Sequence, residues 1–265
     1  MPEGDTIWRA ARTLRAVLVG REVRGFSSTL PEVADGGAHL PGHRVTAVEP
    51  HGKHLLIHFD DGTALHTHMR MTGSWHVYRA GEAWQKRARG ARVVIDAGDW
   101  LAVCFHAPVV ALAKGGVAPR VVRALGPDVL ADDLDPSAAL ARLRARPSQP
   151  IGEALLAQRA LAGIGNIYKS ESLHACRVHP LAPVASLSDD ALLALIATAR
   201  RLMRANLDTT SRRTSTRGPR HAVYRRAAEP CLTCATPIER IRQGDAARST
   251  YFCPRCQSSI DRVAV

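Results

Sequence analysis

Two stretches of this 265-residue chain hold residue types that do chemistry. The first is the opening "MPEGDT". Met1 stands before a small residue, the arrangement that favours its removal, and removal would leave Pro2 as a free secondary amine beside the Glu3 carboxylate. A frayed, tolerant chain end would read the same way from these letters alone. The second is "CLTC" at 231–234 and "CPRC" at 253–256, a C-x2-C-x18-C-x2-C spacing. Cys231, Cys234, Cys253 and Cys256 so spaced are expected to give four thiolates to one tetrahedral zinc ion, with a β-hairpin between the knuckles turning at Gly244 and Asp245. Disulfides would need an oxidising compartment, and no signal peptide points to one. Cys104 and Cys176 stand apart and read as reduced packing residues.

Charge names the partner class. Thirty-six Lys and Arg against 24 Asp and Glu give a net charge of +12, which favours a polyanion. Nucleic acid is favoured over membrane because no amphipathic anchor or lipidation motif appears. Between 212 and 226, "RRTSTRGPRHAVYRR" holds six arginines and no acid, the texture of a flexible arm that neutralises phosphates. No apolar stretch approaches the roughly 18 residues that span a bilayer, so a soluble, intracellular protein is expected. With 46% hydrophobic residues the chain can bury a core, and its length points to about two domains.

The elements that must position these residues change character along the chain. Ile7, Ala11, Leu14 and Leu18 share one face of an opening helix, which Asp5 or Thr6 would cap and Gly20 would end. Arg9, Arg12 and Arg15 line its other side. From about 43 to 106 the texture is of strands, with tight turns at 61–62 and 98–99, giving a β-sandwich or barrel. After about 126–136 the pattern is helical, in "SAALARLRAR", "IGEALLAQ", "YKSESLHACR" and "SDDALLALIATARRLMRAN". Gly163 and Gly165 in "LAGIGNIY" allow left-handed or close-approach backbone before Asn166 opens a helix. Helix N–H groups aimed outward there would suit a DNA phosphate, although a plain inter-helix turn has the same letters.

Five segments in order then resemble one family. "PEGDT", "HGKHLLIHF" (51–59), "HMRMTGSW" (68–75), "LAGIGNIYKSE" (161–171) and "RSTYFCPRCQ" (248–257) are similar to the formamidopyrimidine-DNA glycosylase and endonuclease VIII family of DNA repair enzymes. The resemblance spans nearly the whole chain. It implies an α+β multidomain fold: an N-terminal β-sandwich with its helix (1–125), a helix–two-turn–helix domain (126–227) and a zinc finger (228–265). It further implies double-stranded DNA with oxidised bases or abasic sites, bound in a cleft between the halves.

By the same resemblance Pro2 is the nucleophile that attacks the sugar C1′, Glu3 is its acid–base partner, and Lys53 holds phosphate next to the lesion. An α-amino group titrates near about pH 8, so part of it is unprotonated at neutral pH. Asn166, Arg248 and Tyr224 match phosphate contacts. Arg70 and Met71 match the loop that fills the gap left by a flipped nucleotide, for which a long apolar side chain is a suitable wedge; a core role would suit Met71 equally. His66 and His68 share a strand face and read as structural.

The family's purine branch begins "PELPE" and has a lysine where this chain has Gly152, so oxidised pyrimidines are expected over 8-oxoguanine. The expected activity is a bifunctional glycosylase and AP lyase of base excision repair. It would work through a proline Schiff base and β,δ-elimination, as a monomer in a bacterial-type cytoplasm, associated with the nucleoid. The rival readings are the same family acting on oxidised purines, and a non-catalytic zinc-finger DNA-binding protein. The rival binding protein leaves Pro2, Glu3 and Lys53 without a reason to occur together.

Overall fold

The structure, a computed structural model, describes residues 2–115 and 119–258. It divides into two compact units: Pro2 with Thr6–Ala124, and Glu3–Asp5 with Leu125–Val265.

Helix α1 runs over Gly4–Leu18. Its expected apolar face (Ile7, Ala11, Leu14, Leu18) is buried in the first core, and Gly20 follows with a φ of +77° that a Cβ would strain. The helix starts at Gly4, ahead of the expected cap, so Asp5 lies inside the first turn with its side chain engaged elsewhere. Then come β1 (Gly25–Ser28), α2 (Pro31–Gly37), β2 (Val45–His51), β3 (His54–Phe59), β4 (Ala64–His68) and β5 (Ser74–Arg79). Next are β6 (Ala91–Asp96), β7 (Trp100–Phe105), β8 (Val109–Ala113) and the short α3 (Arg120–Arg123).

Two four-stranded antiparallel sheets result, in the orders β1-β6-β7-β5 and β2-β3-β4-β8. Val45, Val48, Leu55, Ile57 and Leu65 from one sheet share a core with Val93, Ile95, Ala102 and Cys104 from the other and with α1. That is a sandwich. Burial pushes the Cys104 thiol up to about 12, as suits an inert packing residue. The turns at Gly62 and Gly98 both have positive φ.

The second unit contains α4 (Pro136–Arg144), α5 (Ile151–Ala154), α6 (Asn166–Ala175), α7 (Asp189–Arg204) and the hairpin β9 (Glu239–Gln243) and β10 (Arg248–Phe252). Ser188 caps α7 by accepting the Ala191 N–H, as its Ser-Asp-Asp start predicts. The expected helix "IGEALLAQ" stops after one turn. Gln158 accounts for what replaces it: its Nε2 donates to the carbonyls of Leu156 and Ile164, and its Oε1 accepts the Gly163 N–H. One amide side chain thus holds the "LAGIGN" loop, with Gly163 at φ +101°. The zinc-ribbon hairpin turns at Gly244, also left-handed.

Candidate active site

Glu3 is fully buried, and its carboxylate is seated on the N-terminus of α6. Oε2 accepts the N–H of Gly165 at 2.9 Å and of Tyr168 at 3.4 Å, and Oε1 accepts the N–H of Ile167 at 2.9 Å. Helix N-termini leave such donors unpaired and favour an anion. The expectation that these N–H groups face a DNA phosphate is therefore corrected: the chain supplies the anion itself. Gly165 is glycine because a Cβ there would lie 2.3 Å from the Glu3 carboxyl carbon. The N-terminal segment is thereby fixed rather than frayed.

Pro2, half-buried, immediately precedes this anchored residue. Lys53 lies in the β2–β3 turn, behind Gly52 at φ +59°. His54 beside it belongs to a histidine cluster that the sequence reading only half found. Its Nδ1 lies 2.8 Å from His66 Nε2, and its ring packs against His68. Burial, with the charges of His68, His66, His51 and Lys53 behind it, lowers His54 to about 3; burial and then His68 lower His66 to about 4. Burial, and then Lys53 and Arg70, lower His68 as well, and His68 Nδ1 accepts the Arg70 N–H. Arg70 is exposed with φ +43° and Met71 is 66% exposed, so Met71 is no core residue. Thr72 Oγ1 donates to the His106 carbonyl and ties this loop to the strand β7 side of the sandwich.

In the second unit Asn166 is the first residue of α6, its Oδ1 buried without a hydrogen-bond partner among the described residues. Arg248 is exposed at the start of β10, paired with Gln243 across the hairpin. Tyr224 packs its ring edge-on against Tyr251, and burial raises its pKa. The arginine run is not the flexible arm its composition implies. The buried Glu171 accepts the N–H groups of Ala222, Val223 and Tyr224 and the Thr214 hydroxyl. Asn206 pins Arg213 through both of its backbone groups. Arg213, Arg217, Arg220 and Arg225 are exposed, whereas Arg226 is buried and Arg212 is mostly so.

Cys231, Cys234, Cys253 and Cys256 offer sulfurs that all lie within 4.8 Å of one another, a cluster unique among the described residues. Three of the Sγ–Sγ separations are 3.4, 3.4 and 3.9 Å, near the edge of about 3.8 Å of a tetrahedron with Zn–S bonds of about 2.3 Å. Thr233 N–H points at Cys231 Sγ and Cys256 N–H at Cys253 Sγ, which offsets thiolate charge. The donor set fits zinc. His174 of α6 adds an imidazole Nε2 at 3.6 Å from Cys231 Sγ, which no sequence motif announces.

Comparison with known proteins follows the same division. Residues 1–108 match the formamidopyrimidine-DNA glycosylase N-terminal domain, 125–217 its H2TH domain, and 228–258 a zinc finger found in FPG and IleRS. A probable endonuclease 8 2 of Streptomyces coelicolor is 44% identical over 97% of this chain and 94% of its own. A DNA-(apurinic or apyrimidinic site) lyase Nei2 of Mycolicibacterium smegmatis is 35% identical over 98% and 100%. Among solved structures, MutM (Fpg) of Thermus thermophilus superposes with a TM-score of 0.79 at 27% identity, covering 97% of this chain and 99% of that one. MutM bound to DNA containing carbocyclic 8-oxo-G gives 0.81 at 23% identity over 97% and 100%, a likeness of fold.

Proposed function

The chain belongs to the formamidopyrimidine-DNA glycosylase and endonuclease 8 family, DNA glycosylases with AP lyase activity, and on that premise we propose that it excises oxidised pyrimidines through Pro2. The Pro2 nitrogen attacks C1′ as the bond to the damaged base breaks. Glu3 takes up the proton that the Pro2 nitrogen loses on attack and gives it to the ring oxygen as the sugar opens, leaving an iminium between Pro2 and C1′. The iminium withdraws electrons, so loss of a C2′ proton expels the 3′ phosphate, and a second elimination expels the 5′ phosphate. Lys53 holds a phosphate beside the lesion. The observation that carries this reading is the seat of Glu3 on α6, which fixes the residue next to Pro2.

Flipping a nucleotide needs a wedge and a held backbone. Arg70 and the exposed Met71 supply the first; Asn166, Arg248 and Tyr224 supply phosphate contacts for the second. The protein works as a monomer on duplex DNA in a bacterial cytoplasm, with one zinc ion in the finger and domains at 1–125, 126–227 and 228–265.

The pyrimidine choice is supported by Gly152. A Cβ there would meet Gln243 Oε1 at 2.4 Å and the Pro180 carbonyl oxygen at 3.0 Å, so a lysine at this position would have to displace the buried Gln243 amide. The test is borohydride trapping on a panel of single-lesion duplexes. Thymine glycol, dihydrouracil or 5-hydroxyuracil should be excised faster than 8-oxoguanine opposite cytosine. Fastest excision of 8-oxoguanine would reverse the base choice, and no trapped adduct on any lesion would sink the nucleophile.

A further inference from the structure

Each residue of Glu3–Asp5 is tied separately to the second unit. Glu3 is held by its carboxylate on α6. Gly4 donates its N–H to the Gly163 carbonyl at 3.0 Å, and a Cβ on it would lie 2.6 Å from Met203 Cε and 3.2 Å from Gly163 Cα. Asp5, whose side chain has no exposed surface, receives two hydrogen bonds from Arg212: Nε to Oδ2 at 2.9 Å and Nη2 to Oδ1 at 2.5 Å. The Arg212 guanidinium also lies over the Tyr168 ring at 5.2 Å, and the Tyr168 N–H is one of the three that hold Glu3.

Two parallel N–H···O bonds fix orientation as well as distance, which a lysine in the same place would not do. Burial opposes the charge of Arg212, yet its bonds to Asp5 raise its pKa above the ordinary arginine value. Such a pair is costly to assemble and costlier to halve, because either partner alone is a buried uncompensated charge. It stabilises one geometry of the segment that ends at Pro2. The arginine is drawn from a run whose composition advertises phosphate binding, but its Nε and Nη2 donors are turned to Asp5.

The structure assigns Arg212 to positioning: by clamping Asp5 it holds the Glu3 carboxylate and the adjoining Pro2 amine in the geometry the reaction needs, and it is not a phosphate contact. This rests on the proposed chemistry of Pro2 and Glu3.

The test measures two quantities on the full-length, zinc-loaded protein. One is the single-turnover rate of lesion excision. The other is affinity, with its salt slope, for a duplex carrying an unreactive tetrahydrofuran abasic analogue. Arg212→Ala should lose at least about tenfold in rate, since small misplacements of reacting groups are that expensive, and change the salt slope little. Asp5→Asn keeps the shape, removes the charge and should show the same loss. The Asp5→Asn/Arg212→Ala double variant should lose no more than the worse single one, because the two act as a unit. Methylguanidinium should restore part of the Arg212→Ala rate.

Weaker binding with a shallower salt slope and an unchanged rate of the bound complex would make Arg212 a phosphate contact and overturn the assignment. Wild-type rates in Asp5→Asn, or losses that add in the double variant, would overturn it as well. If Arg212→Ala does not fold, Asp5→Asn decides alone. Failure of the wild type to form any borohydride-trapped adduct would instead remove the Pro2 reading, a separate result.

Discussion

Oε1 of Glu3 accepts the backbone N–H of Ile167 at 2.9 Å, across 164 positions of sequence. The second carboxylate oxygen takes Gly165 and Tyr168, so replacement by an amide would turn an NH2 group toward at least one backbone donor. Glu3→Gln should thus lose both its acid and part of its seat. Base excision should fall by about 10²–10⁴-fold, with a smaller loss of strand cleavage at a ready-made abasic site. Equal losses on the two substrates would show that Glu3 serves the fold rather than proton transfer.

A free amine at Pro2 is the companion requirement. An amide nitrogen has no available lone pair, so a protein with residues retained ahead of Pro2 should bind lesion DNA yet form no trapped adduct. Pro2→Gly keeps an amine, now primary, and should be slowed with some lyase action left. Trapping of the extended protein at the wild-type level would move the nucleophile elsewhere, with Lys53 the next residue to examine.

Zinc removal should act on the finger first. Cys231→Ser or Cys253→Ser breaks a tetrahedral thiolate set whose binding energy is folding energy in ribbons of this kind. The finger should unfold, and duplex cleavage should fall because Arg248 at the head of β10 loses its platform. Elemental analysis beside a cleavage assay checks this; a metal-free protein that cuts normally would refute it.

Salt dependence reads the phosphate contacts. Binding should weaken steeply as salt rises, and Arg248→Ala should lower both affinity and slope by about one phosphate's worth. An unchanged slope would mean that the exposed Arg248 side chain does not reach the backbone.

The histidine cluster makes the first unit sensitive to acid. Folding lowers His54 to about 3 and His66 to about 4 from 6.5, so the unfolded chain binds more protons as pH falls below about 6.5. Stability is full above that value and declines until the folded pKa values are passed. The slope is at most about 1.4 kcal/mol per pH unit for each ring, less solvent screening. Denaturant midpoints between pH 7.5 and 5 should fall more steeply for the wild type than for His54→Gln/His66→Gln. Parallel lines would mean that the rings protonate without unfolding.

Local patterns made much of this molecule legible. The 3–4 spacing of Ile7, Ala11, Leu14 and Leu18 announced α1, and cysteine spacing announced the zinc set. The strand region read as 43–106 missed β1 and β8, short edge strands that complete the two sheets. Pairings across the chain were invisible. Nothing near Arg212 distinguishes it from its neighbours, since its partner Asp5 lies 207 positions away. His54 and His66 likewise meet only because β3 and β4 pair in register. Gln158, which no local pattern singles out, has its reason in the loop it holds.

Helix α6 is ten residues long, and every turn of it is spoken for. Its first N–H groups hold Glu3, Lys169 reaches the Thr250 hydroxyl and the Ser249 carbonyl in β10, Glu171 gathers residues 222–224, and His174 faces Cys231. Anchors along its whole length favour opening as one block, so its amides should share a common free energy of opening in hydrogen exchange. Chemical injury to the cysteines would then reach Glu3 through the helix that serves both. On the proposed chemistry, damage to the finger should then silence the protein rather than leave it cutting DNA without its grip.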